Sequence, residues 1–146
     1  MKKIVMIIAA FAALSAVSVN AAASTVPTYE SIYSVSPYYQ SASDAISTLT
    51  ISGTTAKCES KLIGHSDVIS CKVEQTLEKY SGWFWIWNNV DGACWTKTIN
   101  SNSILMSNTK SGLSSGTYRL KSEFTLTSSS GKTETITVYS AEKSIA

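Results

Sequence analysis

The sequence predicts an all-β protein, an antiparallel sandwich of about six to eight short strands. Three observations lead there. From Asp44 onward apolar and polar residues alternate with period two, the spacing of strands with one buried face. No convincing helical spacing follows residue 24. Ser and Thr supply roughly a third of the residues after Ala23 while Leu and Ala are scarce there, a mixture that favours pleated strands with polar outer faces.

The chain opens with a leader. Met1-Lys2-Lys3 forms a positive start, Ile4 to Val19 an uncharged apolar run, and Ala21-Ala22-Ala23 the small residues of a cleavage site, with Ser24 as the new N-terminus. The run falls short of the roughly 18 to 20 residues that span a bilayer, so a secreted, extracellular protein is expected, with no stable membrane span after processing. Cys would have to follow the cleavage site in a lipoprotein; Ser24 stands there. The expected organisation is a signal peptide over 1–23, a Tyr/Ser-rich arm over 24–43 and a β-sandwich domain over 44–146.

The formal charge of the whole chain is +2. Loss of Lys2 and Lys3 with the leader leaves basic and acidic side chains level. Without a concentrated basic face the electrostatic case for nucleic acid fails, and the case for anionic membranes weakens.

The arm holds both prolines, Pro27 and Pro37, and the tyrosines Tyr29, Tyr33, Tyr38 and Tyr39. It reads either as a semi-extended lead-in or as a tyrosine-rich docking segment. In the first strand Ile46, Thr48 and Thr50 alternate with Ala45, Leu49 and Ile51, and Gly53 breaks the run. The second, Thr55 to Ile63, sets Ala56, Cys58, Ser60 and Leu62 against Lys57, Glu59 and Lys61. The third, Asp67 to Leu77, sets Ile69, Cys71, Val73 and Leu77 against Ser70, Lys72, Glu74 and Thr76. A two-residue turn at Gly64-His65 is expected to join these two as a hairpin, with their apolar faces on one side. Near the far end Tyr118, Leu120, Ser122, Phe124 and Leu126 alternate with Thr117, Arg119, Lys121, Glu123 and Thr125. A three-residue loop at Ser129-Ser130-Gly131 then leads to a strand bearing Ile136 and Val138 inward. That register sets Glu134 opposite Leu126, where its charge needs solvent or a basic partner, with Lys132 the candidate. The spacing of strands and turns indicates a sandwich of immunoglobulin-like type.

Three cysteines in an exported chain imply one disulfide and one free thiol. The hairpin register sets Cys58 opposite Cys71, leaving Cys94 free beside Trp95; a bridge from Cys94 to either partner is the alternative. One histidine and no CxxC pair make a metal site unexpected. His65, beside Ser66 and close to Asp67, reads as an exposed turn residue, because a catalytic triad needs its members to converge from separate elements. No carboxylate pair stands out, and Gly131-Lys132-Thr133 lacks the first glycine of a phosphate loop, where Leu126 stands. No catalytic residue and no cofactor is expected.

The sharpest feature is Trp83-Phe84-Trp85-Ile86-Trp87, followed by Trp95. On a strand Trp83, Trp85 and Trp87 would share one face about 6.6 to 6.8 Å apart, with Phe84 and Ile86 on the other. One row must then be covered by something other than the core, or be exposed. Three readings stay open: core filling, a ligand platform of stacked indoles, and a protein or membrane interface.

Several segments together resemble a family of small secreted β-domain proteins of Gram-positive bacteria, a domain family without an assigned function. They are Ile51 to Cys58, Gln75 to Lys79, Ser81 to Trp87, Gly116 to Leu120 and Ser130 to Thr135, and the resemblance covers most of 44–140. It implies a compact secreted β domain and supplies no catalytic residues. The tryptophan row and Asp91-Gly92-Ala93-Cys94 depart from the pattern. The function expected is therefore a non-enzymatic binding module at or outside the cell envelope. It would contact a cell-wall glycan through Trp83, Trp85, Trp87 and Trp95. The alternative is a secreted factor that binds or antagonises an extracellular protein through the tyrosine-rich arm or Cys94.

Overall fold

A computed structural model of the chain describes residues 38–146. The expected signal peptide, 1–23, and the arm as far as residue 37 lie outside the described residues. Eight strands follow: β1 (Ala42–Ser52), β2 (Thr55–Gly64), β3 (Val68–Ser81), β4 (Ile86–Ile99), β5 (Ser103–Lys110), β6 (Gly116–Ser128), β7 (Thr133–Tyr139) and β8 (Lys143–Ile145). They form two antiparallel sheets, one ordered β1-β2-β5 and the other β4-β3-β6-β7, with β8 pairing the start of β6.

The pairs β1–β2, β3–β4 and β6–β7 are hairpins, whereas β2 to β3, β4 to β5 and β5 to β6 cross between sheets. This is the immunoglobulin-like sandwich that the strand spacing predicts. Tyr118, near the start of β6, donates its hydroxyl to the Ser114 carbonyl at 2.6 Å, the tyrosine-corner contact of such sandwiches.

The period-two pattern is visible in the burial of β2 and β6, where alternate residues are fully enclosed. The interior forms two apolar clusters. One gathers Leu62, Val68, Cys71, Val73, Ile104, Phe124, Leu126 and Ile136; the other gathers Leu49, Ala56, Cys58, Leu77, Ala93, Leu113, Tyr118 and Leu120. A buried polar group ties the two sheets together. Gln75 Nε2 donates to Ser60 Oγ at 2.7 Å and to the Met106 carbonyl at 3.1 Å, while Asn108 Nδ2 donates to Gln75 Oε1 at 2.8 Å. Ser122 Oγ lies 2.6 Å from Ser60 Oγ and donates to Ser47 Oγ at 2.8 Å. Among the described residues no buried side-chain nitrogen or oxygen lacks a partner, so this group carries no desolvation penalty left uncompensated.

The structure corrects the expected hairpin between β2 and β3. Those strands belong to opposite sheets, and the short hairpin loop lies instead at Gly53-Thr54, between Ser52 and Thr55, with Gly53 at φ 57°. Gly64 serves a different need. Its N–H donates to the Asn102 carbonyl at 2.6 Å, and a Cβ there would sit 2.8 Å from that same oxygen. A side chain is thus excluded where the chain crosses between sheets.

The Cys58–Cys71 disulfide falls with that hairpin. Cys58 pairs in register with Leu49 and Asn108, Cys71 with Ile99 and Leu126, and all three cysteines of the chain are free. Across the interior, Gln75 reaches the Cys58 carbonyl at 3.5 Å. Cys71 sits in the other apolar cluster. Ile69 is also corrected: a register shift between Val68 and Ser70 turns Val68 inward and leaves Ile69 53% exposed.

At the far end the expected geometry is present. Leu126 pairs with Glu134, and Gly131 adopts φ 80° in the loop. Glu134's partners are not Lys132, however. Its carboxylate accepts the Gln40 N–H at 3.1 Å and the Ser41 N–H at 2.6 Å, so the residues leading into β1 neutralise the rim position with backbone donors. The strand itself begins at Ala42, inside the stretch assigned from sequence to the arm.

Candidate functional site

The aromatic run forms the apex of the β3–β4 hairpin rather than a strand face. Ser81 pairs with Ile86, and Gly82-Trp83-Phe84-Trp85 makes the loop between them. The Phe84 N–H donates to the Ser81 carbonyl at 3.3 Å, closing the turn, and Trp85 then adopts φ 58°. A bulky side chain in this left-handed region is strained by about 1–2 kcal/mol. Trp83, Phe84 and Trp85 are 84%, 67% and 83% exposed. Trp83 and Phe84 meet edge to face, with ring centroids 6.4 Å apart and planes at 71°.

Pairing explains why this apex stands clear. β3 pairs with β6 only as far as Lys79, opposite Tyr118, and β4 is the edge strand of its sheet. The rungs Tyr80–Trp87 and Ser81–Ile86 therefore extend past β6.

The root of the hairpin is held firmly. The Tyr80 and Trp87 rings pack with centroids 5.3 Å apart. The Arg119 guanidinium lies 4.1 Å from the Trp87 ring centroid and 4.2 Å from that of Tyr139, and Arg119 Nε donates to Glu78 Oε2 at 2.7 Å. A cation stacked between two aromatic faces and paired with the buried Glu78 carboxylate fixes the base from which the loop projects.

The four tryptophans expected to act together are thus divided. Trp83 and Trp85 occupy the apex, Trp87 belongs to its root, and Trp95, opposite Gln75, packs against both apolar clusters. The straight indole row is replaced by a convex turn, because the strand ends before it. Sequence reasoning did not find Arg119, Glu78 and Tyr139, since nothing local brings β3, β4, β6 and β7 together. The apex itself had a signal: apolar residues on both would-be faces, directly after Gly82.

Beside the hairpin an open cleft of about 590 Å³ is lined by Lys79, Tyr80, Asn88, Asn89, Asp91 and Lys110, among others. β4 carries additional residues here: Thr76 pairs with Cys94 and Glu78 with Asn89, so Val90 to Ala93 bulge opposite Leu77. The bulge buries Ala93 in the core and sets Asp91 on the cleft. Lys79 Nζ donates to Ser114 Oγ at 2.7 Å and lies 5.5 Å from the Tyr118 ring centroid.

Burial pushes the Cys58 thiol up to about 12 and raises that of Cys71, so both are poor nucleophiles. Cys94 is exposed, its sulfur 3.6 Å from Thr76 Oγ1. His65 is an exposed residue in the crossing between sheets. Among the described residues no three His, Cys, Asp or Glu side chains are grouped to hold a metal ion, and no helix is long and apolar enough to cross a membrane. No protein-family model matches the chain, and no curated protein matches it.

Proposed function

We propose that the chain is an exported, non-enzymatic binding module that works at or outside the cell envelope and engages its partner through the apex of the β3–β4 hairpin. One observation carries this reading: three adjacent aromatic side chains are presented to solvent on a strained turn whose root is fixed by Arg119. Exposing them forgoes the stabilisation of burial, which is about 1.5–3 kcal/mol for a large apolar side chain. Backbone strain of this kind concentrates at functional sites. The positive start Met1-Lys2-Lys3, the apolar run Ile4 to Val19 and the small residues Ala21-Ala22-Ala23 support the exported setting.

A glycan ligand has its own support in the neighbouring cleft, where Tyr80 offers an aromatic wall and Asn88, Asn89, Asp91 and Lys79 offer hydrogen-bonding groups. The alternative, a factor directed at an extracellular protein, draws on the exposed Cys94 thiol, which is open to intermolecular pairing.

Pelleting with envelope fractions and cell-wall polysaccharide tests the main reading. The wild-type chain should bind saturably, and the Trp83→Ala/Trp85→Ala variant should lose binding while keeping its thermal transition. Unfolding of that variant, or binding that ignores it, overturns the assignment of the apex.

A further inference from the structure

We infer that the partner of the hairpin apex is the interfacial zone of a lipid bilayer, into which Trp83, Phe84, Trp85 and Ile86 insert as a shallow anchor. The inference rests on the proposed binding role of this apex and names its partner.

Polarity along the hairpin is graded in the order a bilayer surface requires. Trp83, Phe84, Trp85 and Ile86 form the tip, and all four are exposed. Behind them come Ser81, paired with Ile86, then the Tyr80–Trp87 rung and then the Lys79–Asn88 rung, where the first cationic side chain stands; Asn89 and Lys110 line the same cleft. No charged residue lies between Lys79 and Asp91. Indoles favour the boundary between headgroups and acyl chains, and long basic side chains reach back to the headgroups from just outside it.

The shape also separates a bilayer from a glycan. Stacking along a saccharide chain uses rings that share a plane, whereas Trp83 and Phe84 are set edge to face on a convex turn. A saccharide site also needs polar groups converging on the ligand. The tip residues carry none beyond the indole N–H groups, and the polar groups of the cleft, such as Lys79 and Asn88, stand two rungs behind the tip rather than around it. A headgroup layer makes no such demand, since it accepts rings in any orientation and supplies hydrogen bonds itself.

Depth follows from the backbone. The Phe84 N–H is bonded within the turn, but a reverse turn leaves other backbone groups that hydrocarbon could not satisfy. The apex therefore stays among the headgroups and the first acyl carbons. Charge sets the lipid preference. Asp91 stands with Lys79 and Lys110 on the cleft, and Glu78 pairs with Arg119, so the collar is nearly balanced. Binding should be driven by the rings, with little dependence on anionic lipid or on salt.

The described residues belong to one compact unit, so the processed chain Ser24–Ala146 can be tested without the apolar leader. It is titrated with phosphatidylcholine vesicles, with and without phosphatidylglycerol, following flotation and tryptophan emission, and with vesicles carrying bromine at shallow or deep acyl positions. The expected result is flotation with a blue shift, quenching by shallow bromine above deep, and a loss of affinity of about tenfold per ring in Trp83→Ser and Trp85→Ser. The Trp95→Phe variant should float as the wild type does. Failure of the folded wild type to float, or flotation that persists in the Trp83→Ser/Trp85→Ser variant, overturns the inference. Apex-dependent binding to polysaccharide or to an envelope protein, without flotation, overturns the lipid assignment alone and leaves the binding module standing. Absence of apex-dependent binding to any of these overturns both.

Discussion

Ser60 Oγ and Ser122 Oγ lie 2.6 Å apart across the buried interior, linking β2 of one sheet to β6 of the other. In antibody domains the corresponding second and sixth strands are joined by a disulfide. Here a hydrogen-bonded pair bridges the same interval, extended by Gln75 to Asn108 and by Ser122 to Ser47. Sheet-to-sheet alignment therefore depends on polar groups whose bonds must all be made, since each one left open costs about 1–3 kcal/mol.

Gln75→Met tests that dependence. Methionine keeps much of the volume but abandons Ser60, the Met106 carbonyl and the Asn108 amide together. Stability should fall by about 2–3 kcal/mol, read as a lower urea midpoint at an unchanged slope. An unchanged midpoint would show that the network contributes nothing net.

The left-handed turn residue should show a conflict between stability and function. Asn tolerates φ near 58° far better than Trp, so Trp85→Asn should stabilise the fold by about 0.5–1 kcal/mol. The same change should weaken binding through the apex. A rise in melting temperature together with lost binding is the expected pair of results, and a fall in melting temperature would contradict the strain assigned to Trp85.

Thiol labelling separates the cysteines. Cys94 should react with a maleimide in the native protein, while Cys58 and Cys71 react only after unfolding, because both are buried with raised pKa values. Mass spectrometry of the labelled native chain should place the adduct on Cys94. Native protein that resists labelling at all three positions, yet yields thiols after reduction, would show that bridges form.

Glu134 gives the fold a defined response to acid. Burial alone would raise its pKa; hydrogen bonds from Ser41 and Gln40, with the charge of His65, outweigh burial and lower it. A lowered native pKa contributes stability that is complete above the unfolded value, about 4.3, and is lost as pH falls through the native one. Amide-exchange protection at Gln40 and Ser41 should therefore decline below about pH 4.3. In Glu134→Gln it should be lower throughout and flat across that range.

Much of the architecture is legible in the chain because alternation is a property of each strand alone. The sequence of β6 and β7, with Gly131 between them, dictates a hairpin whose register carries Leu126 opposite Glu134, and that pairing is present. The same reasoning applied to β2 and β3 places their strand bodies well and their partnership wrongly. Both strands show an inward apolar face whether they lie side by side or across the core, so period two cannot distinguish the two arrangements.

By itself the sequence determined the all-β class, most strand bodies and an aromatic segment too apolar for a strand with one buried face. Tertiary structure decided the rest. It chose which sheet each strand joins, so Cys58 and Cys71 part into separate clusters and Gly64 is needed for its approach to Asn102. It also decided that β3 outruns β6, which turns a tryptophan row into an exposed apex and stacks Trp87 on Arg119. The physical reason is the same in each case. Local spacing specifies which way a side chain faces, whereas the partner it faces depends on pairings between residues distant in sequence, and those form only when the whole chain closes.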